Sequence, residues 1–539
     1  MKKMKKVMAL LLSLVMVLAM SVVAFADNAQ TGYTLTINNT KTGHTYNVYQ
    51  IFTGEISDLN GAKVLSNVKY GASYTPSGKT AGGDVDSADL SAITNAKDFA
   101  ENFVQTYVKV KAPATPVAVY KSVSSVEGDT VISGLPAGYY LVMDGAAVTG
   151  QDATTQYIVQ VVGNTAVNVK SDVPRVEKKV KENAKSTNAA GTETDKRISS
   201  YKIPSQYNDV ADYNIGDEVP FQLIGTLPSN YAEYETYKYY FHDTLSAGLT
   251  YTADSIHIYV RNAGTDVEVA TGFKVTHSGN SLNITAENLN DLKDVNNAKI
   301  TVNASSYIIV DYTAKLNENA VIGLDGNPNE VYLEFSNNPN KGGDGETGST
   351  PKDEVIVFTY ELDVNKVENG NTTNKLKDAE FKLRNSANKW VKVDANGKVT
   401  GWGNTEDEGS TLKSDDNGLF KVIGLDDGTY FLKETKAPIG YNLLKDEVEF
   451  TVSATTANGQ TWNGTPGDAL TKLEIAVGSD PATTGNLQEG TVDMQVANSK
   501  GSTLPTTGGM GTTIFYVVGS ILVLGAAILL ITKKRMSAR

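Results

Sequence analysis

The sequence contains no cysteine in 539 residues, so no disulfide can brace its domains. An exported chain of this kind needs another covalent link if its fold requires one. Histidine is also scarce, and the four present belong to no HExxH pattern: His44, His242, His257 and His277. Neither GxSxG nor a thiol nucleophile occurs, so the motifs of common hydrolases are missing.

Basic residues are also fewer than acidic ones, and the formal net charge is −13. That balance argues against nucleic acid as the partner. Two acidic turns, DANG and SDDNG, lack the glutamate that completes a calcium loop, and hairpin turns explain them better. The sequence therefore predicts no cofactor and no metal site.

Long apolar runs are confined to the two ends of the chain. Residues 1–26 combine a basic start, an apolar core and an AFA cleavage site, which is typical of a secretory signal peptide. The stretch Thr513–Thr532 is long enough to span a bilayer and precedes the basic tail KKRMSAR. That tail is expected to stay in the cytoplasm, which places the rest of the chain outside the cell.

The segment LPTTGG lies just before this apolar stretch. Its proline and glycines favour an extended, accessible chain. The order LPxTG, apolar helix and basic tail resembles the cell-wall sorting signal of Gram-positive bacteria. The resemblance implies that a sortase cuts between Thr507 and Gly508 and that the chain becomes attached to peptidoglycan. The implied recognition residues are Leu504, Pro505, Thr506, Thr507 and Gly508.

Short apolar runs separated by turns fill the region between the ends, which predicts a mostly β fold. We expect tandem immunoglobulin-like β-sandwiches in an elongated chain, with one or two helices in the first domain and a C-terminal transmembrane helix. The predicted segments are a signal peptide (1–26), an N-terminal domain (27–172), a middle domain (173–358), a C-terminal domain (359–500) and the sorting region (501–539).

Strand alternation places three polar side chains in the core of the C-terminal domain. Lys366, Glu434 and Asn498 each end an otherwise apolar strand face. One such residue could reach water, but three in one domain suggest a buried trio. Burial lowers a lysine pKa and raises a glutamate pKa. A neutral Lys366 amine could then attack the Asn498 carboxamide while Glu434 donates to its oxygen and shuttles protons, releasing ammonia.

The stretch YFLKETKAPIGY around Glu434 resembles the E-box, YxLxETxAPxGY, of Gram-positive pilins and collagen-adhesin B-type domains. In that family the matching lysine, glutamate and asparagine form an isopeptide bond. The resemblance implies the major, or backbone, subunit of a sortase-assembled pilus, with a C-terminal domain of the collagen-adhesin B type.

The middle domain repeats this logic. PRVEKKV, FHDTLSAGLTY and VYLEFSNNP resemble the middle domain of backbone pilins, whose isopeptide bond uses an aspartate. We predict a bond between Lys178 and Asn337, promoted by Asp243. Lys179 is the alternative, because a bulge would shift the register by one residue.

A pilus subunit also needs a lysine that receives the sortase acyl group. Lys170 occupies the position that matches the family's YPKN motif, although Val169 and Ser171 depart from it. Lys121 is a more distant alternative. The implied partners are sortase, identical subunits and peptidoglycan, with minor pilins and host surface ligands as further candidates. The chain would be a sortase substrate and not an enzyme, and the competing hypothesis is a monomeric wall-anchored adhesin or tip pilin.

Overall fold

The computed structural model describes most of the chain, in several ranges. They are residues 32–59, 61–108, 116–145, 152–168, 172–183, 193–195, 197–198, 200–339, 346–457, 460, 462, 464–501 and 510–537. Three predictions lie outside the described residues: the signal peptide, Lys170 and the LPTTGG cleavage segment.

The N-terminal region pairs its strands into two sheets. The strands are β1 (Tyr33–Thr40), β2 (Thr45–Leu59), β3 (Ala62–Tyr70), β4 (Lys121–Ser124), β5 (Gly128–Leu135), β6 (Gly138–Asp144), β7 (Gln156–Val161) and β8 (Thr165–Asn168). One sheet has the order β5-β1-β8 and the other β3-β2-β6-β7, with β4 on β2. An apolar core that includes Leu35, Tyr46 and Ile132 fills the space between them.

Helices cover the outer face of the second sheet. They are α1 (Ser87–Ser91) and α2 (Ala96–Phe103), and a π-helical turn at Val104–Val108 extends α2. Asp86 caps α1 by accepting a hydrogen bond from the Asp89 amide, as expected for an aspartate before a helix. Phe103 and Leu90 join the core on this side. The expectation of one or two helices in this domain is confirmed.

The middle region is a two-sheet sandwich. Its strands are β9 (Val176–Lys181), β10 (Tyr207–Asn208), β11 (Val210–Asp212), β12 (Glu218–Gly225), β13 (Tyr239–Leu245), β14 (Leu249–Tyr251), β15 (His257–Asn262), β16 (Thr265–Glu268), β17 (Lys274–Ser278), β18 (Ser281–Ala286), β19 (Tyr307–Leu316), β20 (Asn327–Ser336), β21 (Thr347–Ser349) and β22 (Asp353–Phe358). The sheets are ordered β10-β9-β12-β19-β15-β16 and β11-β22-β20-β13-β18-β17, with β14 on β19 and β21 on β20.

The C-terminal region is also built from two sheets. Its elements are β23 (Tyr360–Glu368), β24 (Asn371–Lys375), β25 (Glu380–Asn385), β26 (Trp390–Val393), β27 (Val399–Gly403), β28 (Leu412–Lys413), β29 (Leu419–Leu425), β30 (Gly428–Lys436), β31 (Val448–Thr456), α3 (Pro466–Ala469), β32 (Leu470–Val477), β33 (Thr483–Thr484) and β34 (Thr491–Asn498). The first strand, β23, lies beside the last, β34, in parallel, while β30 sits in the opposite sheet.

The chain crosses from the middle to the C-terminal sandwich within one residue. The stretch EVIVFTYELDVNKV contains no glycine or proline, and its sequence favours a single strand across the boundary. The structure divides it at Thr359, so that β22 pairs with β20 and β23 pairs with β29 and β34. The buried Thr359 hydroxyl donates to the Leu425 carbonyl at 3.2 Å, which fixes the crossing point.

A final helix, α4 (Met510–Met536), follows the ectodomain. The most apolar 18-residue window of Thr512–Met536 has a mean hydropathy of 2.7, and none of that window is buried against the protein. At about 1.5 Å per residue the helix is long enough to cross a bilayer. The predicted C-terminal apolar helix and the mostly β character of the ectodomain are both confirmed.

Candidate cross-link and anchoring sites

Lys366, Glu434 and Asn498 meet in the interior of the C-terminal sandwich. β23 and β34 are parallel neighbours in which Lys366 is opposite Val496 and Asn498 is opposite Glu368. Glu434 reaches the pair from β30, across the sandwich. The Lys366 and Asn498 side chains are fully buried and Glu434 is 4 % exposed. Alternation along three strands had placed these side chains toward the core, and the structure brings them together.

Direct contacts link all three side chains. The Lys366 Nζ donates to Asn498 Oδ1 and lies 3.0 Å from Glu434 Oε1. The Asn498 Nδ2 donates to both Glu434 oxygens, at 3.0 and 2.9 Å. Glu434 therefore lies against the nitrogen of the carboxamide and not, as predicted from the sequence, against its oxygen. A carboxyl group in this position can deliver a proton to a leaving ammonia.

Burial of Lys366 lowers the pKa of its amine, and the nearby Glu434 carboxylate opposes that shift. The Phe381 ring lies 5.2 Å from Nζ and forms part of the apolar wall around it. A lowered pKa increases the fraction of neutral amine, which is the nucleophilic form. The Lys366 amine, the Glu434 carboxyl group and the Asn498 carboxamide are thus held together out of water.

In the middle sandwich the structure brings Lys178 to Asp243 but not to Asn337. The Lys178 Nζ donates to Asp243 Oδ2, and both side chains are buried. In the β13–β20 ladder Asp243 is opposite Val331, six residues before Asn337. Six residues of strand span about 20 Å, far beyond the reach of a lysine side chain. The predicted pairing of Lys178 with Asn337 is therefore wrong in this geometry.

Asn337 instead contacts the N-terminal region. Its carbonyl accepts a hydrogen bond from the Thr154 amide at 2.7 Å, and its Nδ2 donates to the Asp152 carbonyl at 3.3 Å. It therefore joins the middle sandwich to the loop before β7 of the N-terminal region.

Asn329 is the asparagine that shares the site with Lys178. The Tyr312 hydroxyl lies 3.0 Å from Lys178 Nζ, 3.1 Å from each Asp243 oxygen and 2.8 Å from Asn329 Nδ2. All four side chains are buried. The Oδ1 of Asn329 accepts no hydrogen bond from any described residue. Sequence reasoning missed Asn329 and Tyr312, although Asn329 lies on the same alternating face as Asn337.

The two adjacent lysines of β9 occupy opposite environments. The β9–β12 register is unbroken from Val176 to Val180, so no bulge exchanges the faces of Lys178 and Lys179. Burial lowers the pKa of Lys178, with Asp243 opposing the shift. Burial also acts to lower the pKa of Lys179, but surrounding carboxylates outweigh it and raise that pKa above its usual range.

The carboxylates around Lys179 form a network on the outer face of β9. Its Nζ lies 2.5 Å from Asp209 Oδ1, 3.0 Å from Asp195 Oδ2 and 3.1 Å from Glu177 Oε2. A lysine held charged in this way is a poor nucleophile. The alternative assignment to Lys179 therefore receives no support from the geometry.

Lys121, the distant alternative for the acceptor lysine, lies at the start of β4. Its Nζ donates to the Ser133 carbonyl, and its side chain is half-buried. A lysine held across two strands presents its amine less freely than an unengaged one.

A separate carboxylate group lies where the middle and C-terminal sandwiches meet. Oxygens of Asp212, Asp426 and Asp427 lie within 4.8 Å of one another, the one such group of three found among the described residues. The Tyr360 hydroxyl donates to Asp212 at 2.9 Å, and Asn183 donates to Asp426 at 2.8 Å. Burial and mutual repulsion raise the pKa of Asp212 and Asp426 well above the usual range.

These raised pKa values predict that the junction weakens as pH rises. Between the ordinary aspartate pKa of 3.8 and the raised value, the folded state binds more protons than the unfolded state, so stability falls with increasing pH. We expect Asp426→Asn to raise the unfolding midpoint by about 2–4 °C at neutral pH and to leave it unchanged in acid. Scanning calorimetry in EDTA would measure both values.

The exposed Asp446→Asn is the matched control for this substitution. It should leave the midpoint unchanged at both pH values. A lower midpoint for Asp426→Asn at neutral pH would show that the junction carboxylate is stabilising in its charged form, which contradicts the expectation.

Three family models match separate parts of the chain. A Gram-positive pilin backbone subunit 2, Cna-B-like domain, matches residues 215–339, and a prealbumin-like fold domain matches residues 360–465. An LPXTG cell wall anchor motif matches residues 497–537. The first two regions contain Asp243, Asn329, Lys366 and Glu434, and the third contains Asn498 and Thr507.

A curated relative and a solved structure match nearly the whole chain. The trypsin-resistant surface T6 protein of Streptococcus pyogenes serotype M6 is 24% identical over 574 aligned residues, covering 94% of this chain and 95% of the relative. The structure of the T6 backbone pilin of serotype M6 S. pyogenes, a modular three-domain protein, superposes with a TM-score of 0.51 at 19% identity. It covers 89% of this chain and 100% of that one, and it supports the fold.

Two pilin-domain matches, a wall-anchor match and a near full-length pilin relative agree with the E-box and the LPTTGG segment. The apolar helix α4 lies where such an anchor requires it. The chain thus contains a Gram-positive pilin backbone domain and an LPXTG cell wall anchor, and these matches support a major pilin that is anchored in the cell wall as a surface pilus protein.

Proposed function

We propose that sortase polymerises this subunit into a covalent filament braced by two intramolecular isopeptide bonds. The observation that carries the proposal is the buried contact between Lys366 and Asn498, with Glu434 against both. Charged and polar groups are costly to bury unless they are paired, and this trio is buried at the ends of otherwise apolar strand faces. A covalent bond between Lys366 and Asn498 accounts for that arrangement.

In the C-terminal domain the neutral Lys366 amine attacks Cγ of Asn498. Glu434 takes a proton from the amine and passes one to Nδ2, and ammonia leaves. The carboxyl group of Glu434 ends in the protonation state in which it began. The product is one amide between β23 and β34, formed once per molecule. The chain would therefore modify itself without turnover and would not act as an enzyme.

In the middle domain we propose the bond Lys178–Asn329, with Asp243 as the proton shuttle. The Tyr312 hydroxyl contacts all three groups and positions them. The amine attacks Cγ of Asn329, and a proton reaches Nδ2 as ammonia leaves. The Asn329 Oδ1, which accepts no hydrogen bond from the described residues, becomes the oxygen of the new amide.

Between subunits, sortase would break the Thr507–Gly508 bond and transfer the Thr507 acyl group to a lysine amine of another copy. Lys170 is the proposed acceptor, because the family motif places it there and because Lys121 is engaged with Ser133. The last subunit would be transferred to peptidoglycan instead. We further propose that the filament supports adhesion at the cell surface.

The polymer is tested by immunoblotting of wall digests after boiling in denaturant. Wild-type chains should give a ladder, because amide links survive boiling, whereas Thr507→Ala should give a single band. Lys170→Ala should also collapse the ladder, and Lys121→Ala should leave it intact. A ladder that survives Lys170→Ala would move the acceptor to another lysine. A single band from the wild type would contradict polymerisation and favour a monomeric wall-anchored adhesin.

A further inference from the structure

The E-box ends in a turn that presents an apolar side chain to solvent. Ile439 is 95 % exposed, more than any other large hydrophobic residue described before α4. The Tyr441 amide donates to the Pro438 carbonyl at 3.1 Å, and Gly440 has φ +86°, so Ile439 occupies the second position of a β-turn. That position accepts most residues and favours proline. Neither the geometry of this turn nor packing in the core of this chain therefore requires isoleucine at position 439.

The turn is fastened to the place where the sorting segment leaves the domain. The Gly501 amide donates to the Gly440 carbonyl at 2.9 Å, and the Asn442 amide donates to the Ser499 carbonyl at 2.9 Å. Beside it, Glu368 accepts from the Tyr441 hydroxyl at 2.9 Å and pairs with Lys500 at 2.8 Å. The turn and the chain exit thus form one fixed end of the C-terminal sandwich. Leu443, 54 % exposed, lies on the same turn region.

This end of the domain must face a neighbouring subunit in any filament joined through Thr507. Thr507 is the sixth residue after Gly501, so the connection consists of residues 502–507. Fully extended, they span at most about 22 Å. The acceptor lysine of the next copy, and the surface around it, is therefore held close to Ile439. An aliphatic side chain exposed beside that contact is placed where the next copy can bury it.

We propose that Ile439, with Leu443 beside it, is an intersubunit contact that a second copy of this chain covers in the pilus. The inference rests on the proposed sortase polymerisation. The covalent link alone would leave successive subunits free to swivel on a short tether. An apolar side chain on a fixed turn, buried against the next copy, sets their orientation.

The chain has no cysteine, so a single introduced thiol can report on this surface. Full-length Ile439→Cys would be displayed on cells, labelled with a membrane-impermeant fluorescent maleimide, released from the wall and separated as a ladder. In a polymer of n subunits, the end of the C-terminal sandwich that carries Ile439 faces another copy in every subunit except the one attached to the wall. We therefore expect one label per polymer, so that fluorescence per subunit falls n-fold from monomer to n-mer.

Val295→Cys is the matched control, because Val295 is 71 % exposed in the middle domain, away from this end. It should take up one label per subunit at every rung. Equal labelling per subunit for Ile439→Cys would overturn the inference and leave polymerisation intact. Absence of a ladder in the control would overturn polymerisation and the inference with it. If Ile439→Cys itself formed no ladder, Leu443→Cys would decide by the same criterion.

Discussion

Replacing Lys366 with methionine is expected to lower the unfolding midpoint of the C-terminal domain by roughly 10–20 °C. Lys366 and Asn498 are 132 residues apart, so a bond between them closes almost the entire domain. In the chain-entropy model a closure of that length contributes about 4–5 kcal/mol. Methionine keeps the length and packing of the buried lysine stem. The lower unfolding midpoint would therefore reflect loss of the isopeptide bond more than creation of a cavity.

Mass spectrometry provides the decisive measurement for the same variant. With both bonds formed, the wild type should be lighter than its sequence by two ammonia molecules, and Lys366→Met should be lighter by only one. Glu434→Gln should behave like Lys366→Met, because the amide fills the same space but cannot shuttle a proton.

Lys377→Met is the matched control, since this lysine is 62 % exposed and forms a surface ion pair with Asp416. Such pairs contribute little, so both the mass deficit and the midpoint should stay at the wild-type values. A wild-type protein at its full sequence mass would contradict the isopeptide proposal. A full deficit in Lys366→Met would show that the nucleophile is another lysine.

Strand alternation identified the C-terminal trio because each strand offers one polar residue at one end of its apolar face. On β34, Val492, Met494 and Val496 lead to Asn498 alone. The same reasoning fails on β20, whose apolar residues are flanked on one face by Asn329 and Asn337. The sequence of a single strand does not say which end meets Lys178. That choice depends on how β20 is aligned with β13, which only the assembled sheet specifies.

Tyr312 was missed for a related reason. A tyrosine in the middle of an apolar strand is usually a core side chain, and no local pattern marks its hydroxyl as part of a site. Its role is visible only because β19 and β9 flank β12 in one sheet and face β13 and β20 in the other. The predicted boundary between residues 358 and 359 falls at Thr359, but the break of the strand there was not predicted, because it depends on pairing with two separate sheets.

The middle-domain assignment distinguishes two asparagines of one alternating face, Asn329 within β20 and Asn337 one residue beyond its end. We expect Asn329→Ala to remove one ammonia from the mass deficit and to destabilise the middle domain by about 4–5 kcal/mol, because the Lys178–Asn329 closure spans 151 residues. Asn337→Ala is the matched control. It should keep the full deficit, because Asn337 contacts Asp152 and Thr154 of the N-terminal region and lies six residues beyond Val331, the partner of Asp243 in the ladder.

Peptide mapping after proteolysis would identify the linked pair directly. A cross-linked peptide that contains Lys178 and Asn329 is the expected product, and Tyr312→Phe should slow its appearance because the hydroxyl that positions the three groups is gone. If Asn337→Ala removed one ammonia from the mass deficit and Asn329→Ala did not, the bond would be Lys178–Asn337, as first predicted from the sequence. It would also require β20 to slide by about eight residues against β13, which would break every pair of the observed ladder.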